Sequence, residues 1–440
     1  MEWWGFLIVI LALLVFFMVM GLPVAFAFAG ANIIGLLLVA AGTKGLVVIP
    51  GSIFSSVSSF TLVAIPMFFL LGEVLFQSRV IAMIIDVIDK WIGQLRARLL
   101  FVSIAAGTGL ATLSGAGLAD TALLGTTLYP EMANRGYDKR LGLGTIASIG
   151  TLASVIPPSA LMVLAGSFAQ VSISRLLIGG LMPGLLMAAL YAIYISVRVK
   201  LNPALAPTYS ATTAPWSEKI AGAAKLSPMF LIVFMVMGFI LLGITTPSEA
   251  AATGALAAVA VVALYRRLTF EVIRESVMGA TKVSGMIFLI IAAAVALSQV
   301  LALSGATTGL LRLVSELNVS PLVILLVMHL VIFVLGFFID SVSIMVVAIP
   351  IFGPIATALG FDPIWFWVLF MMGLNNGGLT PPFGLTLFVL KSVVAGTTKD
   401  EPTMIDMYWA AVPYVLINIL AMAIVVIFPE IILWLPGLVQ

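Results

Sequence analysis

The chain has 440 residues, 62% of them hydrophobic and only 9% charged, with a formal net charge of +2 and a mean hydropathy of +1.26. Soluble domains carry about 25% charged residues, so a soluble reading leaves most of this apolar surface without a partner, and the scattered basic residues point to no nucleic-acid face. There is no cysteine, which excludes disulfides, thiolate metal sites and cysteine nucleophiles.

In chain order, the segment beginning Met1-Glu2-Trp3-Trp4 has no basic n-region and no small-residue cleavage site. It reads as a spanning helix rather than a removed signal peptide. Spans of roughly 20 apolar residues are expected at 3–20, 22–41 and 57–77. Residues 78–98, with Asp86, Asp89, Lys90, Arg96 and Arg98, read as an amphipathic helix on the inner surface. The apolar stretch 99–130 is interrupted by Leu113-Ser114-Gly115-Ala116-Gly117; it is long for one crossing and short for two, which fits a re-entrant hairpin. Spans follow at 141–170 and 176–197. The polar segment 198–226 reads as a cytoplasmic linker. Further spans are expected at 227–246, 249–265 and 280–303, then a second surface arm at about 304–320. The stretch 321–358, interrupted at Phe338-Ile339-Asp340-Ser341, repeats the hairpin pattern, and spans at 363–390 and 408–433 complete the chain.

Two double prolines fall inside spans, at Pro157-Pro158 and Pro381-Pro382. Each removes two backbone donors and breaks a helix. The shift that carries Pro157 onto Pro381 also carries Pro130 onto Pro354, Gly136 onto Gly360, Asp138 onto Asp362 and Leu161 onto Leu385, without a gap. Broken helices at matching positions of two repeats are the sequence mark of a transporter's midplane site. With the N-terminus outside, the inner loops collect all of the 20 basic residues except Lys44, Arg175 and Arg312, as expected for cytoplasmic loops. Under this threading the two repeats have opposite orientation.

Each hairpin tip and each break frees backbone carbonyls and exposes half-helix N-termini. Carbonyls and hydroxyls suit Na⁺, and an N-terminal dipole suits an anion. The cation candidates are therefore Ser114, Gly115, Gly150, Thr151 and Ser154 in the first repeat, and Asp340, Ser341, Asn375, Asn376, Gly377 and Thr380 in the second. Substrate candidates are Ser154, Pro157, Pro158, Ser159, Ser341, Ser343, Pro381 and Pro382. The bland alternative is that the prolines only kink spans and the hydroxyls bond their own helices; two matching breaks opposite hairpin tips weigh against it. Asp340 is a carboxylate at membrane depth, functional by default, with a hairpin cap as the alternative. Asp120 reads as a cap of its own half-helix, Asp138 and Asp362 as N-caps, Glu73 and Glu249 as structural or interfacial acids, and His329 as a packed histidine. Trp3, Trp4, Trp365, Trp367, Trp409 and Trp434 read as interface anchors. No Walker A, HExxH, GxSxG or paired catalytic carboxylates occur, which argues against ATP-driven transport by this chain and against an intramembrane enzyme.

The segments Ala64-Ile65-Pro66-Met67-Phe68-Phe69, Leu113-Ser114-Gly115 with Ala119-Asp120, and Gly136-Tyr137-Asp138 carry a family resemblance. So do Ile156-Pro157-Pro158-Ser159, Asp340 with Pro350-Ile351-Phe352, and Leu379-Thr380-Pro381-Pro382-Phe383-Gly384-Leu385. In these pieces the chain resembles the large membrane subunit (M-type, DctM-like) of tripartite ATP-independent periplasmic (TRAP) transporters. It departs from the family pattern at Ala116, where a serine is usual, in the Gly150-Thr151-Leu152-Ala153-Ser154 break, and at Asn375-Asn376. The resemblance implies an all-α polytopic fold built as an inverted-repeat elevator, with Na⁺ as the coupling ion and no other cofactor. It also implies a small four-helix Q-type membrane subunit, a periplasmic substrate-binding protein, and uptake of a carboxylate or sugar acid across a bacterial or archaeal inner membrane. The implied division is scaffold at 1–77 and 176–303, arms at 78–98 and 304–320, transport repeats at 99–175 and 321–400, and a C-terminal helix at 401–440. The alternative is a stand-alone Na⁺- or H⁺-coupled divalent-anion elevator carrier that needs no binding protein.

Overall fold

The computed structural model describes residues 2–39, 48–93, 95–115, 117–207, 215–317, 319–337, 339–381, 384–398 and 400–438. Every regular element among them is helical, and seven helices are long and apolar enough to cross a membrane. Phe230 and Phe270 are 67% and 82% exposed, two of many large apolar side chains on the outside. A soluble monomer rarely shows contiguous apolar patches of this extent, and in a bilayer this surface meets lipid.

The helices sort into two packing groups. In the first, Ala64–Gln77 packs against Pro247–Leu264 and Phe270–Leu303, and the last of these also holds Val24–Val39 and Val48–Val57. Trp3–Val19 lies on Val24–Val39. The second group surrounds two broken helices, Lys139–Leu152 with Ala160–Phe168, and Pro363–Leu379 with Leu385–Val394. Pro363–Leu379 is buried along nearly its whole length, as a helix apolar on all sides must be. The two groups meet where Ala64–Gln77 touches Arg98–Ser114 and Ala160–Phe168, and where Phe270–Leu303 touches Ser341–Ala358.

Both interrupted stretches consist of two touching helices joined at a tip. In the first, Arg98–Ser114 ends on Gly115, whose φ of +58° closes the helix in the left-handed region, and Gly117–Asn134 follows. Glycine is the residue that takes this conformation without a Cβ penalty; Ala116 lies outside the described residues. In the second, Pro321–Leu335 ends on Gly336, and Asp340 opens Ser341–Ala358. The surface arms are the helices Ile81–Ile92 and Ala306–Glu316. An ion pair between Asp89 and Arg98 fastens the first arm to the first hairpin.

Four expectations need correction. Residues 176–303 do not pack as one block: Ile173–Leu201 lies on Glu430–Gly437, Met404–Ile427, Ala160–Phe168 and Pro363–Leu379, so it joins the second group. The C-terminal span is two helices, Met404–Ile427 and Glu430–Gly437, separated at Phe428-Pro429; proline cannot continue a helix in mid-run. Trp365 and Trp367 are not interface anchors. Both are buried, and Trp365 donates to the Val425 carbonyl at 3.1 Å. Their helix is central, so position near a span end does not place them at the lipid surface. Trp4, Trp409 and Trp434 are exposed as expected. The linker is shorter than 198–226, because helix continues to Leu201 and resumes at Trp216; residues 208–214 lie outside the described set.

Candidate functional site

Each hairpin tip lies backbone to backbone against a broken helix. A Cβ added at Gly117 would come within 2.9 Å of the Gly150 carbonyl carbon and closer still to its oxygen. A Cβ at Gly115 would meet the Pro158 oxygen at 3.0 Å. In the second repeat, a Cβ at Gly377 would lie 2.8 Å from the Gly336 Cα. Only glycine lets main chains approach this closely. The first tip is thereby brought onto Gly150, Pro158 and Ser159, and the second hairpin onto Gly377. Ser114 closes the first hairpin helix at this tip.

The first break runs over Ala153–Pro158, between Leu152 and Ala160. Ser159 caps the second half-helix: its Oγ accepts from Met162 N at 3.3 Å and donates to the Ser154 carbonyl at 3.1 Å. Thr151 donates to the Ser148 carbonyl at 2.6 Å and touches the Tyr191 hydroxyl at 2.9 Å. At the second break, Thr380 ends the helix and donates to the Asn376 carbonyl at 2.7 Å, while Asn375 donates to Met371 O at 2.7 Å. Pro381 follows; Pro382 and Phe383 lie outside the described residues. Thr151, Ser154, Ser159, Ser343, Asn375, Asn376 and Thr380 are all buried. These side chains are thus closed off from solvent in this conformation.

Asp340 is the N-cap of Ser341–Ala358. Its Oδ2 accepts from Val342 N and Ser343 N at 3.0 and 3.2 Å, and its Oδ1 accepts from the Ser343 hydroxyl. Asp120 is buried in the first turn of Gly117–Asn134. Each carboxylate lies at the positive end of its own hairpin helix, where the dipole stabilises it. By contrast, neither Ala160–Phe168 nor Leu385–Val394 has an acid in its first turn. Of the four half-helix N-termini, the hairpin pair carries an acid at its start and the pair after the double prolines carries none.

Asp138 and Asp362 are N-caps, Asp138 accepting from Leu141 N and Asp362 from Ile364 N and Trp365 N. Glu249 closes a capping box with Thr246. Glu73 accepts from Gln77 at 3.1 Å. His329 Nδ1 lies 2.9 Å from the Leu325 carbonyl, and the ring packs beside Gly373.

Several polar groups of the site escaped the sequence reading. Thr121 is fully buried with an unpartnered hydroxyl beside Gly150. Tyr191 reaches the first break from Ile173–Leu201, expected with the scaffold, and Asn418 reaches the second from Met404–Ile427, expected only as a C-terminal helix. Thr145 bonds Tyr414 at 2.6 Å. The available signal was a polar group in the middle of an apolar span. A cleft of about 820 Å³ lies apart from the breaks, between the two packing groups, where Ala294 and Ser298 face Pro350, Pro354 and Trp367; no candidate residue lines it. Among the described residues, no His, Cys, Asp and Glu cluster could hold a metal ion. The oxygens gathered at the breaks are hydroxyls, amides and carbonyls, a donor set that fits a hard monovalent cation better than a transition metal.

The sequence model of the family described as "Tripartite ATP-independent periplasmic transporter, DctM component" matches residues 11–431. The chain belongs to the DctM family. A C4-dicarboxylate TRAP transporter large permease protein DctM from Pseudomonas aeruginosa is 32% identical, over 88% of each chain. The 2,3-diketo-L-gulonate TRAP transporter large permease protein YiaN from Escherichia coli is 30% identical, over 87% of this chain and 88% of the other. In fold, the chain is similar to the crystal structure of the Alcanivorax borkumensis YdaH transporter, with a TM-score of 0.70 at 12% identity, covering 94% of this chain and 99% of that one. The DctM-family chain is therefore a multi-pass membrane permease and not an enzyme. The resemblance read from Pro157-Pro158, Pro381-Pro382 and their flanking motifs stands.

Proposed function

We propose that this TRAP large permease imports a small organic acid together with Na⁺ across the inner membrane, by movement of the second helix group against the first. The observation that carries the reading is the pairing of each double-proline break with a hairpin tip through glycine backbone. It supports cation ligation by the oxygens gathered at tips and breaks, and a carboxylate at the two half-helix N-termini that carry no acid in their first turn. The relatives named for a C4-dicarboxylate and for 2,3-diketo-L-gulonate both point to organic acids.

The moving group comprises the two hairpins, taken as re-entrant, the broken helices, Ile173–Leu201 and the C-terminal pair Met404–Ile427 and Glu430–Gly437. The helices up to Gln77, with those from Trp216 to Leu303, form the support on which a small Q-type membrane subunit sits. A periplasmic binding protein delivers the acid. Purified chain with the Q-type subunit in proteoliposomes is expected to take up C4-dicarboxylates or sugar acids only with an inward Na⁺ gradient and added binding protein. Uptake without binding protein would favour the stand-alone carrier, and uptake indifferent to Na⁺ would remove Na⁺ as the coupling ion.

The absence of native cysteine gives a clean test of orientation. Asn134 is exposed at the end of the first hairpin. An Asn134→Cys variant is expected to react with an impermeant maleimide only from the cytoplasmic side. Labelling of intact cells from outside would reverse the threading.

A further inference from the structure

A line of buried hydrogen bonds joins the two breaks. Thr151, on the last turn before the first break, lies 2.9 Å from the Tyr191 hydroxyl. Tyr191 donates to Asn418 Oδ1, and Asn418 Nδ2 donates to Asn376 Oδ1 at 3.2 Å, on the last turn before the second break. All four residues are at most 2% exposed. The line is nearly symmetric: Thr151 and Tyr191 are 40 residues apart, Asn376 and Asn418 are 42, and the Tyr191–Asn418 bond joins the halves.

Each hydroxyl has one proton, and that count restricts the line. With the Tyr191 proton on Asn418, the Thr151–Tyr191 contact needs the proton of Thr151, which then leaves the Ser148 carbonyl. The line runs from Thr151 to Asn376, Asn376 Oδ1 is engaged, and its amide N–H group is what remains. Rotating the Asn418 and Asn376 amides reverses every bond. Asn376 then donates to Asn418, Asn418 to Tyr191, Tyr191 to Thr151 and Thr151 to Ser148 O, which leaves Asn376 Oδ1 free. Both directions place every proton in the line without moving the backbone, and bonds in such a chain reinforce one another.

We propose that Tyr191 and Asn418 are positioning residues that couple a cation at the Thr151 break to a carboxylate at the Asn376 break. The inference rests on the Na⁺ and organic-acid reading above. A cation on Thr151 Oγ1 makes its hydroxyl a stronger donor and occupies a lone pair that Tyr191 would otherwise use. Both effects drive the line toward Asn376 and leave the Asn376 amide N–H group for an anion. Coupling of this kind is reciprocal, so the anion strengthens cation binding by the same factor.

The test titrates the purified complex of the chain with its Q-type subunit in detergent with C4-dicarboxylates and sugar acids, at low and high Na⁺, reading binding by calorimetry. For the wild type, high Na⁺ is expected to tighten the best-bound acid on the order of tenfold. Tyr191→Phe keeps the ring and is expected to abolish this ratio while the protein stays monodisperse; Asn418→Leu is expected to do the same. The double variant should lose no more than either single one, because both cut the same line. Tyr194→Phe, which packs on Tyr414 outside the line, should keep the wild-type ratio. An unchanged ratio in Tyr191→Phe, or single effects that multiply, overturns the relay while leaving the transport reading intact. A wild type that binds no acid of the panel, or binds one without regard to Na⁺, overturns both.

Discussion

Replacing Gly117 by alanine is expected to abolish uptake and lower the melting temperature in detergent. The new methyl group has no room, because the Gly150 backbone lies inside van der Waals contact of where it must go. Backbone cannot swing aside as a side chain can, so the hairpin tip and the broken helix must part. Overpacking of this kind costs about 1–3 kcal/mol, and here the strain falls on the contact that forms the candidate site. Gly377→Ala is expected to act likewise in the second repeat, against Gly336. Gly136→Ala provides the contrast. Its φ of +78° is unfavourable for alanine, but no atom lies near the added carbon. It should lose about 1 kcal/mol of stability and keep its uptake. Wild-type uptake in both Gly117→Ala and Gly377→Ala would show that the close approach has no part in transport.

Asp340→Asn is expected to reduce Na⁺-dependent uptake at least tenfold with little change in melting temperature. Asparagine is as good an N-cap as aspartate, so its amide oxygen can keep accepting from Val342 N and Ser343 N. The substitution therefore retains the cap and deletes the charge. A carboxylate at membrane depth is costly, and the helix dipole offsets only part of that cost. A residue needed only as a cap would not require the charge. Asp340→Ala removes cap and charge together, and should lose about 0.5–2 kcal/mol of stability as well as uptake. Uptake and Na⁺ dependence equal to wild type in Asp340→Asn would reduce Asp340 to a structural cap.

These two expectations draw on different kinds of information. The membrane class, the two breaks and the matched motifs were legible in the chain, because helix-breaking prolines and long apolar runs act through local backbone geometry and bulk solvation. Asp138 and Asp362 were legible as caps for the same reason: a cap satisfies N–H groups two or three residues away. The family followed from those motifs.

Packing partners were not legible. An apolar span reads the same whether it faces lipid or protein, so Trp365 and Trp367 were assigned to the interface and Ile173–Leu201 to the wrong helix group. Hydrophobicity reports the preference for leaving water but not which apolar neighbour receives the side chain. Only the tertiary structure brought Tyr191 and Asn418 between the breaks, because their contacts with Thr151 and Asn376 span 40 and 42 residues. Only it showed that Gly117 meets Gly150 and Gly377 meets Gly336. The sequence by itself determined where the helices must break; the fold decided what each break touches, since a contact between main chains from distant segments leaves no periodic trace in either one.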